Sequence, residues 1–140
     1  MSPARQGPPG ALRRLAVPAG VLAAVAGGFA YVAAVNPNEA GHYPLCPLRY
    51  YTGVYCPGCG GLRGAYALAH GHLRTALECN APAVAGYAVL AVVWVVWVTR
   101  AVRGRPFELA LRPGYRWAVG ALMIVFTVVR NLPFGAALAP

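Results

Sequence analysis

The chain has 140 residues, of which 59% are hydrophobic and only 11% charged, and its basic residues are all arginine. Soluble domains carry about 25% charged residues, so this balance excludes an ordinary water-facing surface and points to a membrane protein of one domain. The net charge of +9 does not signal nucleic acid, because the arginines flank apolar runs instead of forming one dense patch.

Residues 1–14 are rich in Pro, Gly and Arg and read as a disordered, basic cytoplasmic tail. Residues 15–35 form an apolar run long enough to cross a ~30 Å hydrocarbon core, with Pro18 expected in its first turn. A cleavable signal peptide ending at Val32-Ala33-Ala34 is the competing reading, but the run exceeds the ~7–15 residues of a signal core, so a retained anchor is expected. Asn36-Pro37-Asn38 ends the span. A loop follows to Gly60, holding Tyr50, Tyr51 and Tyr55, which suit headgroup depth at a membrane border.

Residues 61–79 read as an interfacial helix broken at Gly71, with Leu62, Ala65, Tyr66, Ala69 and Leu73 on its apolar face. Arg63, His70, His72 and Arg74 make it too polar to cross a bilayer. The second span is expected over about 83–99 and the third over about 117–131. The apolar part of the third run reaches only ~20 Å at 1.5 Å per residue. Either its arginines snorkel, or Arg130-Asn131 is drawn inward toward a polar partner. The expected fold is therefore an all-α membrane protein: one membrane domain over 15–135, with three transmembrane helices, an interfacial helix after a Cys-Pro-Gly-Cys turn, and a short tail over 136–140.

The chemistry concentrates in Cys56-Pro57-Gly58-Cys59-Gly60-Gly61-Leu62-Arg63. Pro57 suits the second position of a β-turn and Gly58 permits positive φ at the third. Such a turn brings Cys56 and Cys59 within ~7 Å, Cα to Cα, which suits either a disulfide or two thiolates of a zinc knuckle. Gly60 and Gly61 let the chain turn into a helix, whose N-terminus lowers thiol pKa values. Cys46 and Cys79 flank the motif, so zinc could be held by Cys46, Cys56, Cys59 and Cys79, or with a histidine. Asn80 reads as a helix cap or an interhelical polar contact.

With three spans, Arg5, Arg13, Arg14, Arg100, Arg103, Arg105, Arg112 and Arg116 share one side, against Arg49, Arg63, Arg74 and Arg130 on the other. The positive-inside rule puts the N-terminus in the cytoplasm and the cysteine loop outside, where disulfides persist.

Cys46-Pro47, the run Thr52 to Arg63, His70-Gly71 and Asn80 resemble domain of unknown function 2752, small bacterial membrane proteins with a CPxCGxTR-like core. The resemblance covers roughly residues 43–82, with a weaker echo in Arg130-Asn131-Leu132-Pro133. It departs where Leu62 replaces the usual Thr, His72 an acidic residue, and Ala81 separates Asn80 from Pro82. It implies a multi-pass protein of the bacterial cytoplasmic membrane with Cys56, Cys59 and Arg63 central, and no activity.

Two functions remain. In the leading one Cys56 and Cys59, with Cys46 and Cys79 or a histidine, fix the loop by disulfide or zinc, and the motif Cys56, Pro57, Gly58, Cys59, Gly60, Arg63 and Asn80 is a structural or interaction site that caps the bundle or holds another membrane protein. In the alternative, the chain is a membrane thiol oxidoreductase or redox sensor, with Cys56 as nucleophile, Cys59 as resolving thiol and Arg63 stabilising thiolate.

Overall fold

A computed structural model describes residues 11–39, 41–109 and 111–138. Those residues are all helical or irregular, with no strand among them. In chain order they form α1 (Ala11–Ala34), α2 (Pro47–Thr52), α3 (Gly61–Ala69), α4 (Leu73–Val102), α5 (Pro113–Arg130) and a closing 3₁₀ turn over Pro133–Leu138.

Several boundaries differ from expectation, each for a local reason. Residues 1–10 of the expected tail lie outside the described residues, but α1 begins at Ala11. Arg13 and Arg14 are good helix formers and extend the apolar run backward by a turn, so Pro18 falls inside the helix and not in its first turn. The loop before the cysteine motif contains α2, started by Pro47 at its first turn and closed by Gly53 at φ 73°, whose N–H bonds the Arg49 carbonyl at 2.9 Å. The break around Gly71 (φ 78°) is present and separates α3 from α4. The second half of the interfacial helix and the second span are joined in α4, with an extended residue, Asn80 (φ −167°, ψ 89°), at the kink. Pro82 lacks the N–H that would have carried the ladder across.

α1 and α4 run antiparallel. The Arg14 guanidinium sits against Gly104, the Trp94 indole N–H donates to the Pro18 carbonyl at 3.0 Å, and Phe29 meets Tyr87 edge-on at 5.3 Å. The start of α1 and the arginine-rich loop after α4 therefore share one end of the molecule, and the cysteine segment lies at the other. α3 packs into α4 and both touch α1.

The buried side of α3 is Gly61, Gly64, Ala65 and Ala67, whereas Leu62, Ala69 and Leu73 of the expected apolar face are exposed. Small residues allow close helix approach, and large apolar ones are left to face lipid-like surroundings. The closest point is Gly64, where an added Cβ would lie 3.2 Å from the Ala76 carbonyl oxygen.

Leu12–Ala34 and Leu73–Val102 are long and apolar enough to cross a membrane. The core helix of a soluble protein would be mostly buried, but only 11% and 6% of these apolar windows are. Val21, Leu22, Val25, Leu90, Val92 and Val95 point outward, an apolar surface of the kind that marks contact with a membrane or a partner. α5, with 18 residues bounded by Arg116 and Arg130, is not among these candidates. Among the described residues it packs against the 3₁₀ turn and against no other helix.

Gly64→Val should lower stability by about 1–3 kcal/mol through overpacking. Gly86→Val, at a position with no neighbour within 4 Å, should behave like wild type when thermal unfolding is followed in detergent.

Candidate thiol site

The cysteine motif folds into two overlapping turns. The Cys59 N–H donates to the Cys56 carbonyl at 3.1 Å, and the Gly61 N–H to the Gly58 carbonyl at 3.0 Å. The positive φ expected at Gly58 is found instead at Gly60 (83°), the N-cap of α3. The turn closes without left-handed geometry at its third position, and the reversal into the helix needs it one turn later.

This fold brings three thiols together. Cys46 Sγ lies 3.5 Å from Cys56 Sγ, which lies 3.2 Å from Cys59 Sγ, and all three fall within 4.8 Å of one another. No disulfide is present among the described residues, and all three are half-buried. Cys79 is not part of the group; it lies beside Gly64 in the α3–α4 contact. His70 bonds the Tyr66 carbonyl through Nδ1 and stacks on the Tyr66 ring, and His72 is exposed, so neither histidine joins the thiols.

Two helices supply a cradle for the turn. Asn80, 1% exposed, donates to the carbonyls of Pro57 (2.8 Å) and Cys59 (3.0 Å), and its oxygen accepts the Ala83 N–H (2.9 Å). The kink therefore serves the turn. Extended backbone at Asn80 turns its amide toward the loop while its oxygen caps the helix that resumes.

Arg130, also 1% exposed, donates from one terminal nitrogen to the Cys56 (3.1 Å) and Cys59 (3.0 Å) carbonyls and from the other to the Leu138 carbonyl (3.0 Å). Among the described residues its Nε has no partner. Asn131 clamps Tyr55 on both sides, accepting its N–H (2.8 Å) and donating to its carbonyl (2.9 Å). The inward draw of Arg130-Asn131, one of two readings of the short third run, is thus observed. Both belong to the site, and the signal in the sequence was an arginine closing an apolar run too short to place it in water.

Arg63, expected beside the thiolates, is exposed. It lines a cleft of about 640 Å³ together with Cys46, Cys59, Arg49, Tyr43 and Glu39. The cation held against the turn is Arg130. Arg49 stacks on the Tyr55 ring at 3.9 Å, with Arg130 5.5 Å from the same ring.

The thiols are not equivalent. The backbone N–H of Arg49 and then the Cys56 thiol draw the Cys46 pKa below its ordinary value, so the helix-terminal lowering expected of the motif falls on Cys46, the N-cap of α2. Burial, followed by the Cys56 thiol, pushes Cys59 up to about 11. A lower pKa means more thiolate at a given pH. In metal-free, reduced protein, iodoacetamide should therefore modify Cys46 first as pH rises from 7 to 9, with Cys59 last, as read by peptide mass mapping. Asn80→Ala should leave the Pro57 and Cys59 carbonyls short of a donor and cost about 1–3 kcal/mol. The check is thermal unfolding together with faster proteolysis between Tyr55 and Gly61.

Residues 46–94 match a family model described as Protein of unknown function (DUF2752), in agreement with the resemblance carried by the motif. The matched segment is about a third of the chain and includes the three clustered cysteines and Asn80, but not Arg130 or Asn131. No curated protein and no solved structure matches the chain.

Proposed function

We propose that this chain is an integral membrane protein whose Cys46–Cys56–Cys59 cluster is a structural metal–thiolate site, with zinc as the ion. The observation that carries this reading is the mutual approach of three thiols. A tetrahedral zinc site with Zn–S near 2.3 Å has sulfur–sulfur edges of ~3.8 Å, and the observed separations of 3.2 and 3.5 Å need little adjustment to reach them. A disulfide would use two of the three sulfurs and leave the third without a role. The fourth donor is water or a small ligand from the cleft that Cys46 and Cys59 line.

Fixing the loop in this way stiffens one end of the helix assembly, as a cap on the bundle or as a docking point for another membrane protein. In this reading α5 is a third span, its polar end held in by Arg130 and Asn131. The arginine excess at the opposite end supports a cytoplasmic N-terminus and an extracytoplasmic cysteine loop in a bacterial cytoplasmic membrane. Lipid covers the outward apolar faces of α1 and α4.

One observation favours a thiol oxidoreductase or redox sensor as the second reading: Cys56 touches both other thiols. Attack of Cys46 thiolate on a Cys56–Cys59 disulfide would form Cys46–Cys56 and release Cys59 thiolate. The raised Cys59 pKa, about 11, makes it a poor leaving group and puts this reading second.

The test is metal loading of the reduced protein in detergent. Wild type should take up one zinc per chain, and cobalt substitution should give a thiolate charge-transfer band. Each of Cys46→Ser, Cys56→Ser and Cys59→Ser should lose most of the affinity, and Cys79→Ser should retain it. Thiols from native membranes that become reactive only after reductant, and not after chelator, would overturn the metal reading in favour of the second.

A further inference from the structure

We infer that Arg130 is the counter-charge of the thiol site and selects a divalent ion bound by three thiolates. This inference rests on the metal reading above. A buried guanidinium needs an anion as well as acceptors, because removing a cation from water is costly unless it is paired. Arg130 is 1% exposed, and among the described residues its hydrogen bonds all go to neutral carbonyls.

The acidic side chains do not meet this need. Glu39 is engaged with Asn36 and His42, Glu78 with Arg74, and Glu108 is exposed in the loop before α5, whereas Arg130 closes that helix. Among the described residues no carboxylate lies within ion-pair distance of Arg130. The remaining source of negative charge is the thiol cluster on the turn whose Cys56 and Cys59 carbonyls Arg130 holds.

The charge states of that cluster differ. Three thiols carry no charge, and neither does one disulfide with one thiol. A divalent ion on three thiolates carries one net negative charge, which Arg130 neutralises. A monovalent ion on the same three thiolates carries two, one more than the single buried guanidinium balances, since Arg49 and Arg63 at the cleft are exposed to solvent. Neutrality in a half-buried site therefore favours the divalent trithiolate with a neutral fourth ligand. Arg130 acts through the turn and not by ligation, as a positioning and charge-balancing residue.

The experiment compares wild type, Arg130→Gln and Arg130→Lys, each full-length in detergent, by zinc competition against a chromophoric chelator. Cadmium absorption counts the bound thiolates. Gln keeps a donor and loses the charge; Lys keeps the charge and loses the planar fork that spans two carbonyls. Arg130→Gln should weaken zinc ~10–100-fold, the usual range for outer-shell partners, while Arg130→Lys recovers most of that loss and both keep the three-thiolate cadmium band.

Equal weakening by Gln and Lys would mean that the fork alone matters and would overturn the charge assignment, as would an Arg130→Gln protein with wild-type affinity. Should Arg130→Gln not accumulate, Arg130→Lys decides alone: affinity near wild type supports the proposal, and a loss as large as that of Cys59→Ser overturns it. A wild-type protein carrying a C-terminal extension should bind zinc unchanged. A loss there would assign the counter-charge to the terminal carboxylate and overturn the proposal. Failure of wild type to bind zinc at all is a separate outcome, which removes the metal reading itself.

Discussion

Backbone carbonyls withdrawn from water must find donors, and a tight turn supplies only part of its own. The turn around Cys56 and Cys59 meets this constraint with three side chains from two distant helices. Asn80 serves Pro57 and Cys59, Arg130 serves Cys56 and Cys59, and Asn131 holds Tyr55 at both its N–H and its carbonyl. The kink in α4, the burial of a charged residue at the end of α5 and the convergence of the thiols are parts of one arrangement. Each exists because the turn must be both drawn in and satisfied.

The helices that deliver these side chains are packed by a different rule. α3 meets α4 through Gly64, Ala67 and Ala76, residues with little to bury, while Leu62 of α3 and Leu73 of α4 face outward. In water that would be an inverted choice. Where the surroundings are apolar, burial of a large side chain gains little, and close approach of backbones gains more. The helix assembly thus relies on fit, and its polar free energy is concentrated at the cysteine end.

Much of this was legible in the residues. Apolar runs, the break at Gly71 and the punctuation at Asn80-Ala81-Pro82 all carry local signals, and the cysteine spacing marked the site, whereas the short helix Pro47–Thr52 reads as loop. What escaped a linear reading is what depends on contacts far apart in sequence. Nothing near Cys46 says that it approaches Cys56 while Cys79 does not. Periodicity placed Leu62 and Ala69 beside Ala65 on the packed face of α3, and the structure keeps Ala65 there but packs Gly61, Gly64 and Ala67 in their stead. Arg130 and Asn131 could be suspected from the short final run, but their acceptors lie more than 70 residues earlier, and no local pattern names them.

That separation also sets an order for assembly. During synthesis the cysteine turn emerges well before Arg130 and Asn131 exist. Until α5 arrives, the carbonyls of Tyr55, Cys56 and Cys59 lack the partners these two residues provide. In the interval the Cys56 carbonyl has the Cys59 N–H and the Cys59 carbonyl has the Asn80 amide, while the Tyr55 carbonyl is left for water. The arrival of the last helix therefore adds a second donor at the Cys56 and Cys59 carbonyls and ties Tyr55 to Asn131, so the end of the chain locks a turn made near its middle.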